Sequence, residues 1–289
     1  MQSIVLTIDV EEWYQTSGLN VPIQEWTRYE SRVRRFTESI LLWLEAKDIH
    51  ATFFVLGCVA QEHPGLVADI VAGGHEVASH GMWHRLVNRM EPNDFRADVR
   101  EAKQVLEDLA GQSVIAFRAP SWSIGVAEME ALITLEEEGY RIDSSVQPFA
   151  TPLSGVYGAP VTPYYPVVRG RRLQLLECPP SVYKWGGLTI PCAGGFYLRA
   201  LPYWFLRACL RKVSERHPAV VYVHPWEFDP SQPRFPVSLP VRIAQYTGIH
   251  TTERKFLTLL NDFSFVSFRE LAVGDYPAIA VGRELSCQS

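Results

Sequence analysis

Over its first half the chain alternates short apolar runs with longer amphipathic stretches, a rhythm that few folds can satisfy. Ile4-Val5-Leu6-Thr7-Ile8 and residues 51–57, 75–79, 114–117 and 140–142 are predicted strands, most of them near-continuously apolar, as in strands covered on both faces. Between them Val33, Phe36, Ile40, Leu41 and Leu44 share one helical face. Leu66, Val67, Ile70 and Val71 mark a second helix, Phe95, Val99, Ala102, Val105, Leu106 and Leu109 a third, and a fourth is expected over 126–138. No hairpin signal interrupts this order. Strand–helix repetition of this kind builds a parallel α/β sheet, and right-handed crossovers close or nearly close it into a distorted (β/α) barrel with outer helices.

The second half is less regular. Residues 148–166 hold five prolines and three tyrosines and are expected to form an irregular surface excursion. A strand is predicted over 172–178, then a tight loop flanked by Gly186-Gly187 and Gly194-Gly195, an apolar helix over 201–213 and a buried strand over 219–223. A Pro-rich connection over 230–240, a helix over about 252–260 and a last strand over 263–268 follow. The expected organisation is a single barrel domain over 1–273, with a C-terminal extension from about 230, and an irregular tail over 274–289 that is poorly ordered or draped on the surface.

A chain of 289 residues with 47% hydrophobic residues can bury one large core. Its 27 Lys and Arg against 32 Asp and Glu leave a net charge of −5, which excludes the basic footprint of a nucleic-acid binder. Arg169, Arg171 and Arg172 are the densest basic cluster and read as a solvated turn before a strand. Cys58, Cys178, Cys192, Cys209 and Cys287 are odd in number and lack a C-x-x-C pair, so reduced thiols in a cytoplasmic protein are expected. The first apolar stretch runs straight into acidic residues, unlike a signal segment, and no apolar run nears the ~20 residues of a transmembrane helix.

Chemistry-bearing residues gather at the carboxyl ends of the predicted strands: Asp9 with Glu11, His80 with His84, Arg118, Asp143 and His224. Parallel α/β sheets keep their active sites at that end. His80 and His84, four residues apart, can meet at one ion from a helical turn or a tight loop. Such a pair arises often by chance, and its weight comes from the other clusters that converge with it.

Those clusters resemble a known family. Thr7-Ile8-Asp9, His80-x-x-x-His84, Arg118-Ala119-Pro120, Asp143-Ser144-Ser145 and Val221-Tyr222-Val223-His224 are similar, in order, to the five motifs of the NodB-type polysaccharide deacetylases of carbohydrate esterase family 4. The variants Asp-Val-Glu, Phe-Arg-Ala-Pro-Ser and His-Pro-Trp-Glu-Phe-Asp look closest to the branch associated with bacterial exopolysaccharide loci of the PEP-CTERM type. The resemblance runs from Ile4 to about Phe268. It implies a metal-dependent hydrolase, commonly with zinc, that removes N-acetyl groups from amino sugars of an oligo- or polysaccharide, in association with exopolysaccharide biosynthesis. By the same resemblance His80 and His84 are metal ligands, Asp9 the general base, and His224 the acid that protonates the departing amine. Arg118 orients Asp9, Asp143 pairs with His224, and the backbone N–H of Ser121 faces the oxyanion.

The chemistry is consistent with that set. Amide hydrolysis needs a Lewis acid to polarise the carbonyl, a base to take the water proton and an acid for the leaving nitrogen. The family's usual pair of adjacent aspartates is broken here by Val10. Because strand residues alternate faces, Asp9 and Glu11 point one way and Val10 the other, which favours Glu11 as third ligand; Glu12 and Asp9 itself are the alternatives. Trp13, Trp122, Trp226 and Tyr197 are candidates for a sugar-binding floor, and Glu76 for the partner of an imidazole N–H. Two other functions fit the same residues less fully: an allantoinase-like hydrolase of small cyclic amides, and an inactive carbohydrate-binding barrel.

Overall fold

The computed structural model describes residues 3–151, 153–271 and 275–281. At its centre lies an eight-stranded parallel sheet, curled into a half-barrel with helices packed outside it. Strand β1 (Ile4–Val10) is followed by α1 (Val33–Glu45), β2 (Thr52–Val55), α2 (Gly57–Glu62), α3 (Pro64–Ala72) and β3 (Glu76–Ser79). The helix α4 (Pro92–Ala110), β4 (Ala116–Phe117), α5 (Ala131–Glu137) and β5 (Ile142–Asp143) continue the series. Each strand lies parallel beside its predecessor, as the strand–helix rhythm requires.

Beyond β5 the chain leaves the sheet to form a hairpin of β6 (Tyr165–Val168) and β7 (Arg171–Arg172), then returns as β8 (Leu176–Glu177) beside β5. A second hairpin pairs β9 (Val182–Trp185) with β10 (Leu188–Pro191). Helices α6 (Phe196–Ala200) and α7 (Tyr203–Ser214) lead to β11 (Ala219–Val223), which lies against β1. After α8 (Leu239–Tyr246) and α9 (Ile249–Asp262), β12 (Phe265–Val266) pairs with the start of β1, and β13 (Ala278–Ala280) pairs with β6. The sheet path β11-β1-β2-β3-β4-β5-β8 leaves a seam between its ends. Ser181 spans it, donating its N–H to the Val220 carbonyl (3.2 Å) while its hydroxyl accepts from the Val220 N–H (2.8 Å).

Side-chain alternation along β1 positions the site. Ile4, Leu6, Ile8 and Val10 turn outward into the large core shared with the helices, whereas Val5 joins Phe54, Ala78, Ala116, Ile142 and Val220 inside the half-barrel. Thr7 and Asp9 therefore face inward, above that inner cluster. Val10 is a core residue of the outer layer, and a second aspartate there would be a buried, unpaired charge.

Several expectations need correction. Two hairpins occur, because Gly170 (φ 72°) and the Gly186-Gly187 pair (φ 54° and 83°) supply the positive φ that tight turns demand. Arg171 and Arg172 belong to β7 itself. The connection rich in prolines contains α8, whose Pro240 stands in the first turn, where a missing N–H costs nothing. Only 131–137 of the fourth predicted helix is α-helical. Of the presumed irregular tail, residues 278–280 form β13, while 282–289 lie outside the described residues. Gly194 and Gly195 serve packing: a Cβ on Gly194 would sit 2.0 Å from the Tyr222 carbonyl oxygen of β11. The four described cysteines are free, and among the described residues no helix is long and apolar enough to cross a membrane.

Candidate active site and metal centre

Glu11 lies one residue past β1, and His80 one residue past β3. The loop after His80 is pinned rather than helical: Met82 N–H donates to Asp98 Oδ2 (2.7 Å), and the Gly81 and Met82 carbonyls accept from Gly57 and Cys58 (2.9 and 3.1 Å). His84 adopts a left-handed conformation (φ 51°), which turns its ring back toward His80. The ring centroids stand 5.4 Å apart. Glu11 Oε2 is 2.5 Å from His84 Nε2 and 3.8 Å from His80 Nε2, and one donor atom from each residue falls within 4.8 Å of the others.

This donor set fits a divalent cation. One carboxylate and two imidazoles leave coordination positions for water and substrate. His80 Nδ1 is 2.8 Å from the Arg118 carbonyl, a contact that requires Nδ1–H and leaves Nε2 as a lone pair facing the triad. Burial, the largest influence, pushes the His80 pKa down to about 4, so the ring is neutral at neutral pH. Burial acts to raise the Glu11 pKa, but His84, then His224 and His80, outweigh it and hold the carboxyl well below its usual range. Its other oxygen, Oε1, accepts from the Trp226 indole N–H at 2.9 Å. Glu12 is committed elsewhere: it accepts from the Arg32 and Val33 N–H groups (2.9 and 3.1 Å) and from Ser31 Oγ (2.5 Å), capping α1. That removes it from the choice of third ligand.

Asp9 and His224 flank the triad. Asp9 Oδ1 accepts from Arg118 Nη1 (2.6 Å), which leaves Oδ2 facing His224 Nε2 at 3.8 Å. Arg118 is fully buried and its guanidinium also bonds Thr7 Oγ1 (2.8 Å) and Ser144 Oγ (3.0 Å) beneath the face of Phe54 (4.3 Å). Arg118→Met strands the Asp9 carboxylate in the interior and is expected to destabilise the fold by ~3–5 kcal/mol in denaturant titrations; a change below ~1 kcal/mol would count against a tightly paired charge.

The partner of His224 differs from the one expected. Glu227 Oε2 lies 3.1 Å from His224 Nδ1 and accepts the His224 backbone N–H at 3.0 Å, while Glu227 Oε1 accepts from Arg199 Nε at 2.6 Å. Arg199 is in turn fixed by the carbonyls of Ala244, Gln245 and Thr247. Asp143 instead stands in register with Glu177 on the neighbouring strand and accepts from Ser145 Oγ (2.5 Å). Asp143 Oδ2 and Glu177 Oε2 are buried with no donor among the described residues, so mutual repulsion and burial favour a proton held between them. Burial raises both pKa values, Asp143 to about 6. The partnership was missed because Glu227 follows His224 by three residues in a 3-10 turn; the capping pattern of His-Pro-Trp-Glu was the available signal.

A cavity of about 460 Å³ opens over these groups, lined by Asp9, Glu11, His80, His84, Ser121 and His224. Trp122, Tyr197 and Trp226 also face it, and Trp226 stacks on His224 at 5.1 Å. Ser121 is left-handed (φ 53°) in a 3-10 turn, and being its second residue has an N–H without a helical acceptor. Trp13 is not part of this lining. It is buried behind the site against Tyr14, Tyr29 and Phe235, its indole N–H on the Glu30 carbonyl (3.2 Å). Glu76 likewise lies away from the imidazoles, bonding Thr52 Oγ1 (2.7 Å) and the Arg269 N–H (2.9 Å).

Comparison with known proteins places this geometry. Residues 4–137 match the family model described as polysaccharide deacetylase, and residues 144–273 match a domain of unknown function, DUF3473. A chitooligosaccharide deacetylase of Sinorhizobium fredii is 34% identical over 111 residues, 37% of this chain and 52% of that protein. A peptidoglycan-N-acetylglucosamine deacetylase of Bacillus cereus is 31% identical over 85 residues, 29% of this chain and 31% of that protein. The matched stretch thus spans about half or less of these relatives. Among solved structures, a Mycobacterium smegmatis protein assigned to the polysaccharide deacetylases superposes with a TM-score of 0.60 at 18% identity, covering 98% of this chain and 87% of the other. A family 4 carbohydrate esterase pseudoenzyme from Bacillus anthracis gives 0.52 at 16% identity, with 96% and 67% covered. At such identities the likeness is one of fold. From the family match and the curated relatives together, this chain is similar to the polysaccharide deacetylases over residues 4–137.

Proposed function

We propose that the protein is a metal-dependent hydrolase that removes N-acetyl groups from amino sugars of a bacterial exopolysaccharide or its precursor. One observation carries this reading: the Glu11, His80 and His84 donors, an arginine-held carboxylate and a carboxylate-held imidazole all face one cavity. The Sinorhizobium and Bacillus relatives are named for the same bond in chitooligosaccharide and peptidoglycan. Reduced, buried Cys178, Cys192 and Cys209 fit the reducing interior in which polymer precursors are assembled.

A divalent cation such as zinc, bound by Glu11, His80 and His84, would supply Lewis acidity toward the amide carbonyl and acidify water. Asp9 then takes the water proton on Oδ2, the oxygen that Arg118 leaves free. The Ser121 N–H offers a donor to the developing oxyanion. His224, charged and held by Glu227, protonates the departing amine. Trp226 fixes both sides of the site by donating to Glu11 while stacking on His224.

Asp9→Asn keeps the size and the contact to Arg118 but removes the base, so kcat for acetate release from N-acetylglucosamine oligomers is expected to fall roughly 10²–10⁴-fold with KM little changed. Purified wild-type protein that neither bound a divalent ion nor released acetate would end the hydrolase reading.

A further inference from the structure

Residues 178–226 carry six basic side chains and one acidic one, Glu215, in a chain whose net charge is −5. The same stretch holds the exposed tryptophans of the described residues, Trp185 (65% exposed) and Trp204 (71%). Positive charge and apolar exposure thus meet on the β9–β10 hairpin and on α7, against which β9 packs. No residue of these three elements lines the catalytic cavity.

Strand register accounts for the exposed hairpin tip. Trp185 lies directly across from Leu188, and Tyr183 across from Ile190, so the four side chains share one face. Tyr183 and Ile190, nearer the base, pack against the large core. The turn at Gly186-Gly187 (φ 54° and 83°) then carries Trp185 and Leu188 (61% exposed) beyond it. The tip therefore reads Trp-Gly-Gly-Leu, with no polar side chain where turns are ordinarily polar. On α7, Trp204, Ala208 and Arg211 form a solvent-facing stripe opposite the buried Leu206, Leu210 and Val213. Arg207 and Lys212 are paired with Asp262 and Glu215, whereas Lys184, Arg211 and Arg216 have no carboxylate partner among the described residues.

Charge separates the occupants this surface could take. A second copy meeting the same patch would bring two basic segments face to face, and like charge opposes such an isologous contact. An anionic bilayer instead offers phosphates to the cations and a headgroup layer in which indole rings are favoured. A narrow tip with two apolar side chains also enters lipid without the wide contact area that a stable protein interface needs.

We propose that the β9–β10 tip and the exposed stripe of α7 form a peripheral anchor for a bilayer containing anionic phospholipid. Trp185 and Leu188 enter the headgroup region, Trp204 lies at its surface, and Lys184, Arg211 and Arg216 meet the phosphates. The attachment is reversible, because so small an insertion falls far short of a spanning helix.

The test mixes purified protein with sedimentable vesicles of phosphatidylcholine, alone or with about 30% phosphatidylglycerol. Wild-type protein is expected to partition at least about 10-fold more strongly onto the anionic vesicles, since each basic residue near such a surface adds roughly fivefold, and to be released as salt is raised. Trp185→Ser/Leu188→Ser should lower partitioning about 10-fold with an unchanged thermal midpoint. Leu42→Ser, at an equally exposed apolar residue of α1 (64%), should leave partitioning as it is. Lys184→Gln/Arg211→Gln should remove most of the preference for the anionic vesicles. No partitioning, equal partitioning onto both vesicles, or a loss in Leu42→Ser as large as in the hairpin variant overturns the anchor. A dimer seen by analytical ultracentrifugation in place of vesicle binding, and abolished by Trp185→Ser/Leu188→Ser, would overturn it too and give the tip to a second copy.

Discussion

Glu11→Gln is expected to leave the protein folded, to strip it of divalent cation on dialysis, and to lower kcat/KM for acetate release by roughly 10³-fold, beyond the 10–100-fold in affinity or activity that the loss of an outer-shell partner brings. The substitution is nearly isosteric. Its carbonyl oxygen can still accept the Trp226 indole N–H, and its amide group can donate to the His84 Nε2 that Glu11 Oε2 now faces. What disappears is the negative charge and the second ligand oxygen, which a cation needs and packing does not. Metal analysis after dialysis, read beside the Asp9→Asn protein, separates the two carboxylates. Asp9→Asn should keep its metal and lose rate, whereas Glu11→Gln should lose both. A Glu11→Gln protein that retained stoichiometric metal while Asp9→Asn lost it would assign the ligand to Asp9 and sink the role given to Glu11.

The parallel half-barrel was legible because β1, β2 and β11 are apolar on both faces and the helices between them carry single stripes. The inward turn of Asp9 and Glu11 was legible from the period of a strand alone. Contacts set by loops were not. Trp13 and Trp226 are each two residues from a carboxylate or imidazole of the site, yet one packs behind it and the other lines it, a difference made by where residues 29–30 and 235 return in space. Asp143 sits at a strand end like Asp9, but its neighbour β8 supplies Glu177, a second acid that no spacing in the sequence connects to it. The hairpins were hidden because Arg169-Gly170 and Gly186-Gly187 read equally as loop or turn.

The second large effect concerns the acid. Burial alone would lower the His224 pKa, but Glu227, and after it Glu11 and Asp9, outweigh burial and raise it to about 9. Among the described residues, the cations against this cluster are themselves paired, Arg199 with Glu227 and Arg118 with Asp9. His224 must be protonated to act, so activity is retained below about pH 9 and is lost as pH rises through that value. A cation on Glu11 cancels that carboxylate's support, which leaves Glu227 as the main source of the raised value. Glu227→Gln should therefore move the alkaline limb of kcat/KM down by about 2 units, so that the loss is roughly 10-fold near pH 8 and much smaller near pH 6. Simple structural damage would lower the whole profile without moving its limb. Asp143→Asn provides the contrast: with its carboxylate turned to Glu177 and Ser145, it should leave the limb where it stands. If the Asp143 variant shifted the limb and the Glu227 variant did not, the proton would be held from β5 after all, and the His-Pro-Trp-Glu turn would be only a cap.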